Sequence, residues 1–287
     1  MGNVDYKELK KGGFMRQIQK GYFSMRLKSV GGHLTTQQLQ TIQKVADKYG
    51  HGYIHLTSRQ GVEIPFININ NIDQVKQELA AGGVQVGVCG PRVRTITACQ
   101  GNSICSSGLI NTVDVAENLE KRYGGKELPH KFKFGITGCC NNCLKAEEND
   151  LGIKGGVKPS WDKKVCTFCG LCQIVCPGKA ITVNKADKTL NFSMEKCIYC
   201  GKCLKVCPTS AWSGEHGFIV SFGGLYGNRI TIGKRLLPLI FSTDVLYKVI
   251  DVTLAFFEKN AKKGERFANT LDRVGWQLLE KELKEVL

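Results

Sequence analysis

Fourteen cysteines lie in this 287-residue chain, none before Cys89 or after Cys207, and eight of them fall between Cys166 and Cys207. Residues 166–176 read C-x2-C-x2-C-x3-C before Pro177, and residues 197–207 repeat that spacing before Pro208, offset by 31 positions (197 − 166). Such spacing lets one loop set three thiolates around a compact inorganic core while backbone N–H groups point at the sulfurs. The closing prolines stop the chain from running on as a helix. The chemistry implied is electron transfer through iron–sulfur clusters. A zinc site would favour two separated CxxC pairs in tetrahedral geometry, which two complete four-cysteine runs fit badly. Upstream, Cys99 and Cys105 are spaced C-x5-C and Cys139 and Cys143 C-x3-C, four ligands on two loops that can hold another cluster. Cys140 makes a C-x2-C with Cys143 as well, so spacing alone leaves the choice between Cys139 and Cys140 open. Cys89 and Cys140 then read as small buried residues.

A second set of residues suits an anion. Lys131 and Lys133 stand at i and i+2 in a strand-like KFKFGIT, which puts both ammonium groups on one face. Two adjacent cations are costly unless an anion sits between them, although lysines also decorate solvated strand edges.

These residues need elements to hold them. FSMRLKS reads as a strand, and TTQQLQTIQKVADKYG as a helix with Leu39, Ile42, Val45 and Ala46 on one face. YIHLTS and VEIPFI read as strands, and Asn71 is placed to cap a helix carrying Ile72, Val75 and Leu79 that Gly82 and Gly83 end. VRTITA reads as a strand, residues 112–123 as a helix, and KFKFGIT as a strand running into Cys139. Residues 152–161, rich in Gly and Pro, read as a junction, so a module is inserted between about 157 and 214. Beyond it, GFIVSF and RITI read as strands, Ser242 or Thr243 caps a helix through Phe257, and one last helix gathers Phe267, Leu271, Val274 and Leu278.

Composition narrows the class. With 42% hydrophobic and 23% charged residues the chain has the balance of a globular protein, not of a disordered one or a coiled coil. No apolar run reaches a membrane span, and MGNVDYKELKKGG has no signal-peptide core, so a cytoplasmic location is expected. In that reducing compartment a disulfide framework is a poor use of fourteen thiols. The 40 Lys+Arg against 25 Asp+Glu leave a charge of +15, which first suggests nucleic acid. None of the five histidines falls in a metal-ligand spacing.

The paired runs resemble bacterial two-cluster ferredoxins, in which the fourth cysteine of each run crosses to the other cluster. The resemblance implies one 4Fe-4S cluster on Cys166, Cys169, Cys172 and Cys207, and a second on Cys197, Cys200, Cys203 and Cys176. TACQGNSIC and GCCNNC resemble the cluster motifs of the siroheme-dependent sulfite and nitrite reductases. The likeness extends through FSMRLKSVGG with TTQQL, HLTSRQGVEI, HKFKFGITGC and the closing GERFANTLDRVG. The module order resembles the C subunit of anaerobic sulfite reductases and related small sulfite reductases.

That resemblance implies an α+β fold. Residues 1–83 would form the sulfite/nitrite reductase half-domain and 84–156 the first part of the siroheme and 4Fe-4S domain. Residues 157–214 would be an inserted ferredoxin module, and 215–287 the returning part of the siroheme domain. It assigns a third cluster to Cys99, Cys105, Cys139 and Cys143, with Cys143 also bridging to siroheme iron. Arg59 would bind siroheme carboxylates, and Arg26 or Lys28, with Arg94, Lys131 and Lys133, would meet the substrate. Cys140 departs from the family, which commonly has proline there, and Lys28 stands where relatives more often carry Arg. The implied activity is six-electron reduction of sulfite to sulfide, with electrons entering through the ferredoxin clusters from a donor protein or partner subunit. Nitrite reduction to ammonia and a non-catalytic electron-transfer subunit are the alternatives. Larger members hold siroheme between two copies of this unit, so a homo-oligomer or hetero-complex is expected here. A polycarboxylate cofactor and an oxyanion account for the basic charge without nucleic acid.

Overall fold

The computed structural model describes residues 5–287. Helix α1 (Tyr6–Lys11) starts at Asp5, whose carboxylate accepts the N–H groups of Lys7 and Glu8. It leads into β1 (Phe14–Arg16) and β2 (Tyr22–Leu27). Helix α2 (Thr36–Tyr49) opens on a capping box between Thr35 and Gln38. Strands β3 (His55–Leu56) and β4 (Val62–Asn68) and helix α3 (Ile72–Ala81) follow. The strands form an antiparallel sheet in the order β1-β2-β4-β3. Met25, Leu27, Ile64 and Ile67 pack there against Ile42, Val45, Val75 and Leu79 of the helices.

The remainder is organised by β5 (Thr97–Ala98), α4 (Thr112–Tyr123), β6 (Phe134–Thr137) and β7 (Leu151–Trp161). Next come α5 (Leu171–Ile174), β8 (Ile181–Asn184), β9 (Thr189–Phe192) and α6 (Lys202–Val206). Last are β10 (Trp212–Phe222), α7 (Thr243–Asn260), α8 (Phe267–Val274) and α9 (Trp276–Lys284). The second sheet runs β10-β7-β6-β5, parallel from β5 to β7 and antiparallel between β7 and β10. Phe132, Phe134, Phe257 and Phe267 interlock in its core, with ring centroids 5.2–5.8 Å apart.

Five expectations are corrected. Residues 152–161 are not a linker: they belong to β7, which pairs with β10 from Leu151↔Phe222 to Trp161↔Trp212. A Cβ on Gly155 would meet the Gly138 carbonyl at 2.2 Å, so glycine here admits a neighbouring backbone. The segment that departs from the strand pair is therefore 162–211. The closing helix is two, because Gly275 takes φ +99 between α8 and α9. Leu279 and Leu283 are thereby buried and Leu278 is exposed. Leu39 is exposed, since the buried stripe of α2 begins one turn later at Ile42. Asn71 makes no capping bond; Asn68 accepts from Asn70 in the turn ahead. RITI forms no strand, with only Thr231 bridged to Leu225.

Candidate functional site

The segment Lys131–Phe134 alternates strictly. Phe132 and Phe134 enter the core, so Lys131 and Lys133 point the other way, into a cavity of about 390 Å³ that Arg26, Arg59 and Arg94 also line. Arg26 and Arg94 both lie close to Cys89 in this cavity. Arg26 donates to Cys89 Sγ at 3.1 Å and through Nε to Glu63 at 2.7 Å. Neither lysine is in an ion pair among the described residues.

Arg59 marks the boundary with a second cavity of about 360 Å³. Ser58, Arg59 and Lys133 line both, and Cys143 and Tyr226 line the second alone. Arg59 donates to Asn149 Oδ1 at 2.7 Å. Burial pulls its guanidinium down to about 10, against the opposing Asp150 carboxylate and with help from Arg94 and Arg26. Burial also brings Lys133 down to about 8, with Arg59 and Arg266 adding repulsion and Asp150 opposing. Lys131 is lowered by burial, then by Arg266 and Arg94. His130 Nδ1 accepts the Lys131 N–H at 2.7 Å, the role of a neutral imidazole, and burial lowers its proton affinity.

Beneath the lysines sits Asp150, fully buried. Its Oδ2 accepts the Lys133 backbone N–H at 2.9 Å, and both carboxylate oxygens accept from Arg266, just ahead of α8, at 3.0 Å. The pair ties the lysine strand to the C-terminal helices. Neither residue was singled out by spacing. Asp150 ends a polar END stretch just before an apolar strand, which is the one sequence signal it carries.

Lys28 stands apart from this group. Strand β2 ends at Leu27, and Lys28 turns its ammonium to the buried Glu120, 3.1 Å away, outside the cavity wall. Arg26 is thus the member of that pair which faces the cavity. Cys89, expected as a small buried residue, is 1% exposed and is also part of the cavity wall.

The cysteine loops gather into sets. Cys139 is buried against Leu109 and Val157, with Cys99, Cys105 and Cys143 around it, and Cys99 Sγ accepts the Gly138 N–H at 3.0 Å. Cys140 turns instead to Cys200, its neighbour in the second run. Cys166, Cys169, Cys172 and Cys207 line one cavity with Phe168 and Trp212. Cys176 lies beside Cys197 instead, which also has Cys200 near it. Matching N–H···S bonds run from Phe168 to Cys166 and from Tyr199 to Cys197, and from Ala180 to Cys176 and from Ala211 to Cys207. Phe168 and Tyr199 take φ +54 and +59, and Gly170 and Gly201 +85 and +68, so the repeat recurs in the backbone. Backbone donors aimed at thiolate sulfurs suit clusters, which carry negative charge on their sulfurs.

Residues 89–287 match the nitrite and sulphite reductase 4Fe-4S domain, and residues 15–82 match the nitrite/sulfite reductase ferredoxin-like half domain. The chain belongs to the nitrite and sulphite reductase family. It is 33% identical over 278 residues to the coenzyme F420-dependent sulfite reductase of Methanocaldococcus jannaschii, a match covering 96% of this chain and 44% of that protein. It is 32% identical over 176 residues to the C subunit of the anaerobic sulfite reductase of Salmonella typhimurium, covering 56% and 52%. The chain thus spans about half the length of these curated relatives. The crystal structure of dissimilatory sulfite reductase I shares the fold, with a TM-score of 0.76 at 21% identity over 92% of this chain and 69% of that one. The two matched segments coincide with the two sheets, and the basic cavity of this reductase-family chain lies where they meet. No helix among the described residues is long and apolar enough to cross a membrane.

Proposed function

We propose that this chain reduces sulfite to sulfide, with siroheme in the groove formed by the two joined cavities and a 4Fe-4S cluster on Cys99, Cys105, Cys139 and Cys143. The observation that carries this reading is that two neighbouring cavities share Ser58, Arg59 and Lys133 as lining, one of them also lined by Lys131 and the other by Cys143. The two cavities fit such a group: their volumes lie in the range of cofactor sites, their walls supply cations for a polycarboxylate, and the Cys143 thiol is among the lining residues. Siroheme, when bound, would supply an iron centre at which sulfite is reduced. Arg59 and Lys145 would hold its carboxylates.

The chain's own residues do the rest. Arg94, Lys131 and Lys133 surround the anion with fixed charge, and the arginine fork orients its oxygens. Lys133 is protonated at neutral pH yet is a stronger acid than a free lysine, so its Nζ can give up a proton as substrate oxygen leaves as water. The eight cysteines from Cys166 to Cys207 would hold two further 4Fe-4S clusters in a ferredoxin-type module, through which electrons enter. The groove is open, and β3 at the sheet edge leaves Leu56 74% exposed, so a second copy or a partner subunit is proposed to close it.

Activity is expected to fall as pH rises through about 8, because deprotonation of Lys133 removes both a charge and a proton donor. A bound dianion favours the protonated amine, so the alkaline limb of kcat should lie at higher pH than that of kcat/KM. Identical limbs would contradict the assignment.

The test is one anaerobic preparation, assayed for visible spectrum, iron, siroheme, and sulfite and nitrite turnover with a reduced dye. The expected result is about thirteen iron per chain, four for each of three clusters and one for siroheme, chlorin-like absorption that shifts with sulfite, and turnover of sulfite faster than of nitrite. Faster nitrite turnover would replace the substrate, and a spectrum of clusters alone would leave an electron-transfer subunit.

A further inference from the structure

The two cysteine runs are related by a 31-residue offset, yet their surfaces are used differently. In the second run the corresponding positions carry Lys202 and Lys205, and this run faces the body of the protein. Lys205 Nζ donates to the Ser106 carbonyl, the Val157 N–H donates to the Tyr199 carbonyl at 3.0 Å, and Leu204 packs on Leu109, Cys139 and Val157. In the first run the same positions are Leu171 and Ile174, one turn apart on α5, and they are 42% and 77% exposed. Val165, just before the first cysteine, is 47% exposed, and Cys169 is exposed beside them. Lys163, Lys164 and Lys185 stand around this patch, none in an ion pair among the described residues, with the Lys185 stem close to Gly170.

An apolar centre ringed by unpaired cations is the usual make-up of a transient protein interface. The repeat sharpens the point. Where the run facing the protein body has lysines, the run facing solvent has large apolar side chains.

We infer that Val165, Leu171 and Ile174, ringed by Lys163, Lys164 and Lys185, form the docking face for an acidic one-electron carrier protein that reduces the cluster on Cys166, Cys169, Cys172 and Cys207. This rests on the proposed reading of those cysteines as cluster ligands. In the step, one electron leaves the reduced carrier and enters the oxidised outer cluster; no atom is transferred. Complementary charge would steer the encounter and the apolar centre would set its register.

The experiment follows reduction of the anaerobic protein by stopped flow, using either an acidic bacterial ferredoxin in its reduced form or methyl viologen radical. Ile174→Glu and the double charge reversal Lys163→Glu with Lys164→Glu are compared with wild type. The variants are expected to slow reduction by the ferredoxin about tenfold or more, with reduction by the viologen unchanged and iron content intact. The wild-type ferredoxin rate should fall as salt is raised. Equal ferredoxin rates in all three proteins overturn the docking face and leave the cluster reading standing. So does an equal loss with both donors. Failure of the viologen to reduce wild-type protein overturns the cluster reading itself, and the docking face with it.

Discussion

Lys133→Met is expected to lower sulfite turnover by about 10²–10⁴-fold, the range for loss of a positioned proton donor, while siroheme and iron content stay at wild-type values. The physical case rests on position and on acidity together. Lys133 lines both cavities, close to Arg59, and shares the second with Cys143. Burial and the neighbouring guanidinium groups bring it down to about 8, so the ammonium form dominates at neutral pH but parts with its proton readily. Methionine keeps the stem and removes charge and proton. Lys131→Ala should have a smaller effect weighted towards KM, because Lys131 lines only the first cavity and contributes field more than contact. Steady-state kinetics on both variants, with siroheme quantified by absorbance, check this. Wild-type activity in Lys133→Met would remove the lysine from the mechanism.

Arg266→Gln is expected to destabilise the protein by about 3–5 kcal/mol, as removal of one member of a buried ion pair does when the other is left behind. Asp150 is wholly buried and has no other cation bonded to its carboxylate among the described residues, so it would be left with the Lys133 N–H alone. A loss of this size is a large part of the stability of a typical domain. Denaturant titration of the purified variant measures it. Asp150→Asn should cost less, because an amide can still accept the Lys133 N–H and the remaining charge, on Arg266, lies nearer solvent, 12% exposed against 0%. The reverse order would show that Arg266, not Asp150, is the group that cannot tolerate isolation.

The half-domain shows how far periodicity carries. Ile42, Val45, Val75 and Leu79 were legible as helix-facing core because burial of one helical stripe leaves a three-to-four-residue rhythm. The second sheet was less legible. Residues 152–161 look like a linker because glycine and proline usually break strands, yet here glycine gives room for the Gly138 carbonyl. Pro159 lies past the end of β6, where one side of β7 has no partner strand. The closing helix could not be divided from sequence, since a hydrophobic stripe continues across a break whenever both pieces pack on the same core.

Sequence by itself determined which residues can do chemistry: twelve cysteines in spacings that repeat or pair, and a two-lysine strand leading into one of them. Spacing is set by covalent connectivity, and loops that wrap a cluster or strands that alternate faces leave that distance in the chain. Only the tertiary structure decided that Arg26 and not Lys28 reaches the cavity, that Cys139 sits among the other three cysteines of its set while Cys140 turns to Cys200, and that Asp150 and Arg266 lie beneath the lysines. Each of these depends on where a strand ends or on the packing together of groups far apart in the chain, and no local pattern records that.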